Sequence, residues 1–199
     1  MRRHNFYVVV VWSIMLFLAG CGNTIKPAFI STDITGADFG KDFQLTDHTG
    51  ETRSLADFKG KAIVLFFGYT HCPDMCPATM GQLAAAMQKL GKDAGRVQVL
   101  FVTVDPERDT PGQLKQYLAT FNSAFLGLSG DAQATKDIAH EFKIVYQKQA
   151  GQSPEHHTMD HSTGTFIFDP KGKLRLYVSN GATGDVFAQD IAELLRTVG

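Results

Sequence analysis

The chain is poor in cysteine and has no run of basic residues. Only three of its 199 residues are cysteine, and 19 basic and 20 acidic side chains give a formal charge of -1. Aromatic residues are not interleaved with basic ones either, so the sequence lacks the pattern of a nucleic-acid-binding protein, and no nucleic-acid partner is predicted. The hydrophobic content of 44% is that of an ordinary globular chain, which argues against disorder and against a coiled coil.

The sequence also lacks a hydrophobic run long enough to cross a membrane. The N-terminal run FYVVVVWSIMLFL follows the basic start MRRHN and is shorter than the ~20 residues that a transmembrane helix needs. It ends in LAGC, which resembles the lipobox of bacterial lipoproteins. The resemblance implies that residues 1–20 are a lipoprotein signal peptide, that Cys21 is acylated, and that residues 21–35 form a tether on the periplasmic side of the membrane. An uncleaved anchor with an incidental cysteine is the alternative.

The two remaining cysteines lie four positions apart in GYTHCPDMCPATM. Outside the cytoplasm disulfides can persist, so Cys72 and Cys76 must pair with each other or bind a ligand. A structural disulfide, a redox couple and a metal site are all possible. A disulfide that closes a loop of about five residues stabilises a fold by only roughly 2 kcal/mol in the chain-entropy model. The structural interpretation is therefore the weakest of the three.

The order of apolar patterns predicts the fold class. A hairpin over FQLTDHTGETRSL is followed by buried strands at AIVLFFGY and VQVLFVTVD, each with a helix after it. A third helix, a hairpin around DPKG and a closing helix complete the chain. This order predicts an α/β thioredoxin-like sandwich over residues 36–199 with an added N-terminal β-hairpin. Cys72 and Cys76 then open a helix, whose free N–H groups favour the thiolate form.

A metal site built on two thiolates needs a further ligand. Two thiolates suit a soft ion such as Cu(I), and an imidazole commonly completes such a site. The segment SPEHHTMDHSTGTFIFDP offers four donors: His156, His157, Met159 and His161. His161 is the best placed, because the strand that follows it would carry it beside the cysteines. We expect His156 and His157 to be solvated loop residues and Met75 and Met159 to pack or be exposed, and His71 at most tunes the site.

Three blocks of sequence together resemble one family. GYTHCPDMCP, VTVDPERDTP and DHSTGTFIFDPKGKL occur in that order and look like the motifs of the Sco/SenC family, over roughly Ile34 to Val198. The resemblance implies that copper, as Cu(I) or Cu(II), is bound by Cys72, Cys76 and His161. It also implies a copper chaperone for assembly of the copper centre of cytochrome c oxidase, with subunit II as acceptor. A thioredoxin-like reductant or a copper donor would be a further partner.

Departures from other thioredoxin-fold proteins support a metal site, but alternatives stay open. The cysteines have three residues between them rather than two, and no proline directly precedes TGTFIF, so the sulfurs are left accessible to a metal. A thiol–disulfide oxidoreductase that reduces the acceptor's cysteines would need both cysteines but not His161. A copper or redox sensor is a third possibility. Residues 105–110 either cap and turn the chain or help to dock a partner.

Overall fold

The computed structural model describes residues 27–151 and 157–198. In these ranges the chain forms a mixed eight-stranded sheet, a separate two-stranded ribbon and four α-helices. The strands are β1 (Thr32–Asp33), β2 (Leu45–Asp47), β3 (Thr52–Arg53), β4 (Ala62–Gly68), β5 (Val97–Thr103), β6 (Leu126–Ser129), β7 (Tyr146–Gln149), β8 (Thr158–His161), β9 (Thr165–Phe168) and β10 (Leu174–Val178). The helices are α1 (Met75–Leu90), α2 (Pro111–Ala119), α3 (Ala132–Glu141) and α4 (Gly184–Val198).

The centre of the sheet is formed by the two strands that the sequence predicted to be buried. The strand order is β1-β10-β9-β4-β5-β6-β2-β3; β4, β5 and β6 are parallel, and the remaining pairs are antiparallel. All seven residues of β4 are buried because apolar side chains cover both of its faces. Phe66 packs near Phe101 on one face, and Phe67 contacts Phe142 and Phe166 on the other.

The helices follow the predicted periodicity. α1 buries Met80, Leu83 and Met87 on one side and packs against α4. α2 begins at Pro111 after an N-cap at Thr110, whose hydroxyl accepts a hydrogen bond from the backbone N–H of Gln113. The Asp105–Thr110 block therefore performs the capping role that the sequence suggested, and a role in docking stays a prediction.

Both predicted hairpins are present. β2 and β3 pair across residues 48–51, and β9 pairs with β10 around DPKG. In the second turn the buried carboxylate of Asp169 accepts hydrogen bonds from the backbone N–H groups of Lys171 and Lys173, at 2.9 and 3.0 Å. Gly172 has a φ of 76°, a conformation that glycine adopts without strain. The α/β class and the N-terminal hairpin are thus confirmed.

The boundary of the domain lies earlier than the sequence suggested. Thr32 and Asp33, which we assigned to the tether, form β1 and pair with β10. The buried carboxylate of Asp190 on α4 accepts hydrogen bonds from Ile30 N at 2.7 Å and Ser31 N at 2.9 Å. These residues join the domain because a buried acceptor fixes their backbone, which local sequence patterns do not reveal.

Three further strands were not predicted. β6 is a short strand that extends the parallel part of the sheet, and β7 pairs with β8 in a separate antiparallel ribbon. The signal peptide, Cys21 and His156 lie outside the described residues. Within the described ranges, none of the helices has the length and apolar character needed to cross a bilayer.

Candidate metal centre

Cys72 and Cys76 flank the N-terminus of α1, as predicted. Cys72 lies in the loop after β4 and is half-buried, whereas Cys76 is the second residue of α1 and is fully buried. The N-cap residue Asp74 makes no side-chain capping hydrogen bond. Instead, the backbone N–H of Cys76 donates to Cys72 Sγ at 3.4 Å. The Cys72 sulfur therefore occupies the position at which a helix N-terminus binds an anion.

The two thiols have opposite acidities. A hydrogen bond from the Cys76 side chain and hydrogen bonds from the backbone of Cys76, Asp74 and Met75 lower the pKa of Cys72 to about 5, although burial acts in the other direction. The hydrogen bond to Cys72 and burial both raise the pKa of Cys76. In the metal-free reduced protein Cys72 is therefore the thiolate and Cys76 is the protonated donor.

His161 reaches the cysteines from the end of β8. Its Nδ1 lies 2.8 Å from the carbonyl oxygen of Ser162, so Nδ1 carries the proton and donates it to that oxygen. Nε2 is left with its lone pair and lies 3.8 Å from Cys76 Sγ. The Tyr69 ring packs edge-on against the imidazole, with 5.9 Å between the ring centroids. The imidazole is thus packed against Tyr69, and its Nε2 lies near a sulfur.

The loop before Cys72 is held by a buried carboxylate. Asp109, which is 1% exposed, accepts hydrogen bonds from Thr70 N at 3.0 Å, Thr70 Oγ1 at 2.5 Å and Thr103 Oγ1 at 2.6 Å. Gly68 at the end of β4 gives room for the second sulfur, because a Cβ atom there would lie only 2.8 Å from Cys76 Sγ. Asp109 thus fixes the backbone before Cys72, and Gly68 leaves space for the Cys76 sulfur.

The three predicted ligands lie near one another but are not close enough together to hold one metal ion. Among the residues that the structure describes, no three cysteine, histidine or carboxylate side chains are grouped closely enough to hold a metal ion. Cys72 and Cys76 are both free thiols. A metal ion could contact both sulfurs and His161 Nε2 only if these side chains move closer together.

The other candidate donors lie elsewhere. His71 is exposed, with Nδ1 3.1 Å from Thr70 Oγ1. Met159 is buried in the core and Met75 is half-buried, in agreement with a packing role. The prediction for His157 was wrong: this residue is only 6% exposed, and its Nε2 lies 3.0 Å from Asp105 Oδ2. It is not a solvated loop histidine, because a distant carboxylate provides it with a buried partner.

Comparison with known families agrees with this geometry. The SCO1/SenC family model matches residues 31–196, which include both cysteines and His161. The chain belongs to the SCO1/SenC family. The match begins one residue before β1, in line with the early domain boundary.

Individual SCO1/SenC relatives have the same fold. The chain is 34% identical over 152 residues to the mitochondrial SCO2 homologue of Bos taurus, a match covering 75% of this chain and 57% of that protein. Copper-bound ScoI of Bradyrhizobium japonicum superposes with a TM-score of 0.73 at 35% identity, covering 79% of this chain and 99% of that one. For apo Sco1 of Thermus thermophilus the TM-score is 0.76 at 37% identity, covering 86% and 99%. The thioredoxin-like prediction is confirmed. The chain spans 57–66% of the length of the first curated relatives it matches.

Sequence reasoning missed several residues that support this SCO1/SenC site. Tyr69, Gly68 and Ser162 lie within the motif blocks themselves. Gly68 could have been noticed, because a small residue at the end of a buried strand is informative. Asp109 was recognised only as part of a capping block. No sequence signal indicates that His157 is buried.

Proposed function

We propose that this protein is an extracytoplasmic copper-binding metallochaperone that binds copper through Cys72, Cys76 and His161. The observation that carries the proposal is the 3.8 Å approach of His161 Nε2 to Cys76 Sγ beside the low-pKa sulfur of Cys72. Two soft thiolates and one imidazole are a donor set that suits Cu(I). The copper-bound ScoI relative supports this assignment, since its match to this chain covers nearly all of its own length.

Copper is the cargo, and its arrival changes the protonation of the site. Cys72 offers a thiolate at neutral pH, whereas Cys76 must lose its proton when it exchanges the hydrogen bond to Cys72 for a bond to the metal. In the tautomer in which Nδ1 donates to the carbonyl oxygen of Ser162, His161 offers the lone pair of Nε2 to the metal. Binding therefore requires the release of one thiol proton and a closer approach of the three side chains.

Delivery follows from the partial exposure of the site. Cys72 is half-buried and Pro73 and Asp74 beside it are exposed, so an acceptor's ligands could replace those of the chaperone one at a time. The family resemblance suggests the copper centre of cytochrome c oxidase, on subunit II, as the acceptor. A separate copper donor or thioredoxin-like reductant would load the site or keep its thiols reduced.

A titration of reduced, lipid-free protein with Cu(I) tests the binding site. Wild type should bind one Cu(I) tightly, and His161→Ala should lose affinity at least tenfold while its dithiol reduction potential shifts by less than about 30 mV. The oxidised protein should lose most of its Cu(I) affinity, because a disulfide provides no thiolate. Full affinity in the His161→Ala variant would exclude His161 as a ligand and would direct the same test to His156.

A second candidate function is reduction of the acceptor's own disulfide. The asymmetric acidities of the pair favour it: the Cys72 thiolate could attack the disulfide, forming a mixed disulfide and releasing one acceptor thiolate. Cys76, after losing its proton, would then attack the Cys72 sulfur and release the second acceptor thiolate. This cycle oxidises Cys72 and Cys76 and reduces the acceptor by two electrons. If His161→Ala cannot bind copper yet restores oxidase assembly in cells lacking the wild type, reduction is the essential activity.

The anchor is the remaining part of the proposal. We propose that residues 1–20 are removed as a lipoprotein signal peptide and that acylated Cys21 holds the domain at the periplasmic side of the membrane. Metabolic labelling with a fatty acid tests this assignment. Wild type should carry the label, and Cys21→Ser should remain an unlabelled and uncleaved precursor. Normal cleavage and labelling of that variant would contradict the lipobox.

A further inference from the structure

The ribbon of β7 and β8 carries His161, and its own pairing is too small to hold it in place. Among the described residues the ribbon forms a two-stranded sheet separate from the main sheet. An isolated two-stranded hairpin is marginally stable in water. The position of His161 therefore depends on side chains that attach the ribbon to the rest of the domain.

His157 provides such an attachment immediately before β8. Its side chain is 3% exposed, and its Nε2 lies 3.0 and 3.2 Å from the two carboxylate oxygens of Asp105. The carboxylate can only accept, so Nε2–H is the donor. Asp105 is itself 3% exposed, and its backbone N–H donates to Thr103 Oγ1 at 2.9 Å at the end of β5. The hydrogen bond thus joins the ribbon to the centre of the main sheet.

The Asp105 carboxylate is also connected to the His161 imidazole, through contacts of Arg108 and Tyr69. Arg108 binds Asp105 Oδ2 through Nε and through its terminal nitrogen, both at 2.6 Å. The Arg108 guanidinium lies over the Tyr69 ring, 5.9 Å from its centroid, and the Tyr69 ring packs edge-on against His161. One cluster therefore contacts β8 at both ends: His157 at its start and His161 at its end.

We propose that His157 is a positioning residue, whose buried hydrogen bond to Asp105 fixes the ribbon so that His161 Nε2 faces the cysteine pair. The inference deepens the proposed copper site and rests on it for the metal readout. His157 fixes the ribbon in the metal-free protein as well, whether or not copper binds. His157 contacts no metal in this account; it acts through His161.

The first test uses metal-free, reduced protein and the imidazole ¹⁵N resonances of His161. Wild type should show a single Nδ1–H tautomer, because Nδ1 donates to Ser162. His157→Ala should give a mixture of tautomers or broadened His161 signals while the amide spectrum of the main sheet stays in place. His157→Gln should restore the wild-type signature, because the glutamine side-chain N–H can reach Asp105 as Nε2–H does. Unchanged His161 signals in a folded His157→Ala variant would overturn the proposal.

The second test is a double-mutant cycle on Cu(I) affinity. His157→Ala should weaken Cu(I) binding three- to tenfold, and His157→Gln should weaken it less than twofold. His157→Ala should add nothing further in a His161→Ala background, because its effect passes through that imidazole. Additive losses would overturn the proposal, since His157 would then act on the cysteines or on the fold as a whole.

A matched control separates positioning from general loosening of the ribbon. Lys148 on β7 also binds the 105–110 loop, through Glu107 Oε2 at 2.7 Å, but both side chains are largely exposed. Lys148→Ala should leave the His161 tautomer and the Cu(I) affinity unchanged, because exposed pairs contribute little. An equal effect of Lys148→Ala would contradict a specific role for His157. If wild type binds no Cu(I), the proposed function fails, and the tautomer measurement still decides the role of His157.

Discussion

At the scale of single residues, the two cysteines of the candidate site differ in the acidity of their thiols. Cys72 has its sulfur at the helix N-terminus, where the backbone and Cys76 donate hydrogen bonds to it, and Cys76 lies in the apolar core. The environment therefore makes one thiolate available for the metal or for a disulfide and keeps the second thiol protonated until it is needed.

The acidity of Cys72 gives a pH prediction for the metal-free reduced protein. Alkylation of Cys72 by iodoacetamide, followed by mass spectrometry, should show a midpoint near pH 5. In Cys76→Ala the midpoint should rise, because the largest contribution to the low pKa is lost. The folded-state pKa lies below the ordinary value of 9.0, so the ionised thiol contributes stability that is fully present above pH 9 and is lost as the pH falls through about 5. A wild-type midpoint near 9 would contradict the hydrogen bonds to Cys72.

Gly68 gives a steric prediction at the same site. A Cβ atom at this position would lie 2.8 Å from Cys76 Sγ and 2.9 Å from atoms of Phe66 and Phe101, so Gly68→Ala forces Cys76 or the rings to move. We expect a loss of about 1–3 kcal/mol in the free energy of unfolding, measured in urea, together with weaker Cu(I) binding. Gly81→Ala is the control, since a Cβ atom there meets nothing within 4 Å inside α1, and it should not destabilise the fold. Equal effects of the two changes would exclude the steric explanation.

At the scale of secondary-structure elements, buried hydrogen bonds hold segments whose position local sequence patterns do not predict. β4 and α1 were predictable, because continuous or periodic apolar residues indicate burial wherever the rest of the chain lies. β8 was not, because its sequence TMDH has a single buried residue, Met159. The burial of His157 depends on Asp105, 52 positions away in the sequence. β1 depends in the same way on a carboxylate in the last helix.

The docking of the N-terminal segment can be tested at that carboxylate. Asp190→Ala removes the acceptor of Ile30 N and Ser31 N, and hydrogen bonds to charged groups contribute about 1.5–3 kcal/mol each. We expect a loss of that order in the free energy of unfolding and faster amide exchange at Ile30 and Ser31. Asp185 lies on the same helix as Asp190 and forms an exposed ion pair with Lys89 of α1; Asp185→Ala should cost less and leave those amides protected. Unchanged exchange in Asp190→Ala would show that β1 is held by its strand pairing alone.

At the scale of the whole molecule, the motifs predict which residues form the candidate site, and the order of the strands brings those residues together. Cys72 and Cys76 follow β4, and His161 precedes β9; these two strands are neighbours in the sheet, with Phe66 opposite Thr165. Because β9 runs antiparallel to β4, the residues that follow β4 and those that precede β9 lie at the same end of the two strands. Sequence could therefore predict which residues lie near one another, but not that the described side chains stand too far apart to hold one metal ion, because that depends on individual side-chain geometry.

X-ray absorption spectroscopy of the Cu(I)-loaded, reduced protein tests most directly whether both sulfurs and the His161 imidazole bind one copper ion. We predict two sulfur ligands and one imidazole nitrogen in wild type, and loss of the imidazole contribution in His161→Ala with both sulfurs retained. An imidazole that persists in His161→Ala, or a wild-type spectrum with sulfur ligands only, would contradict the account.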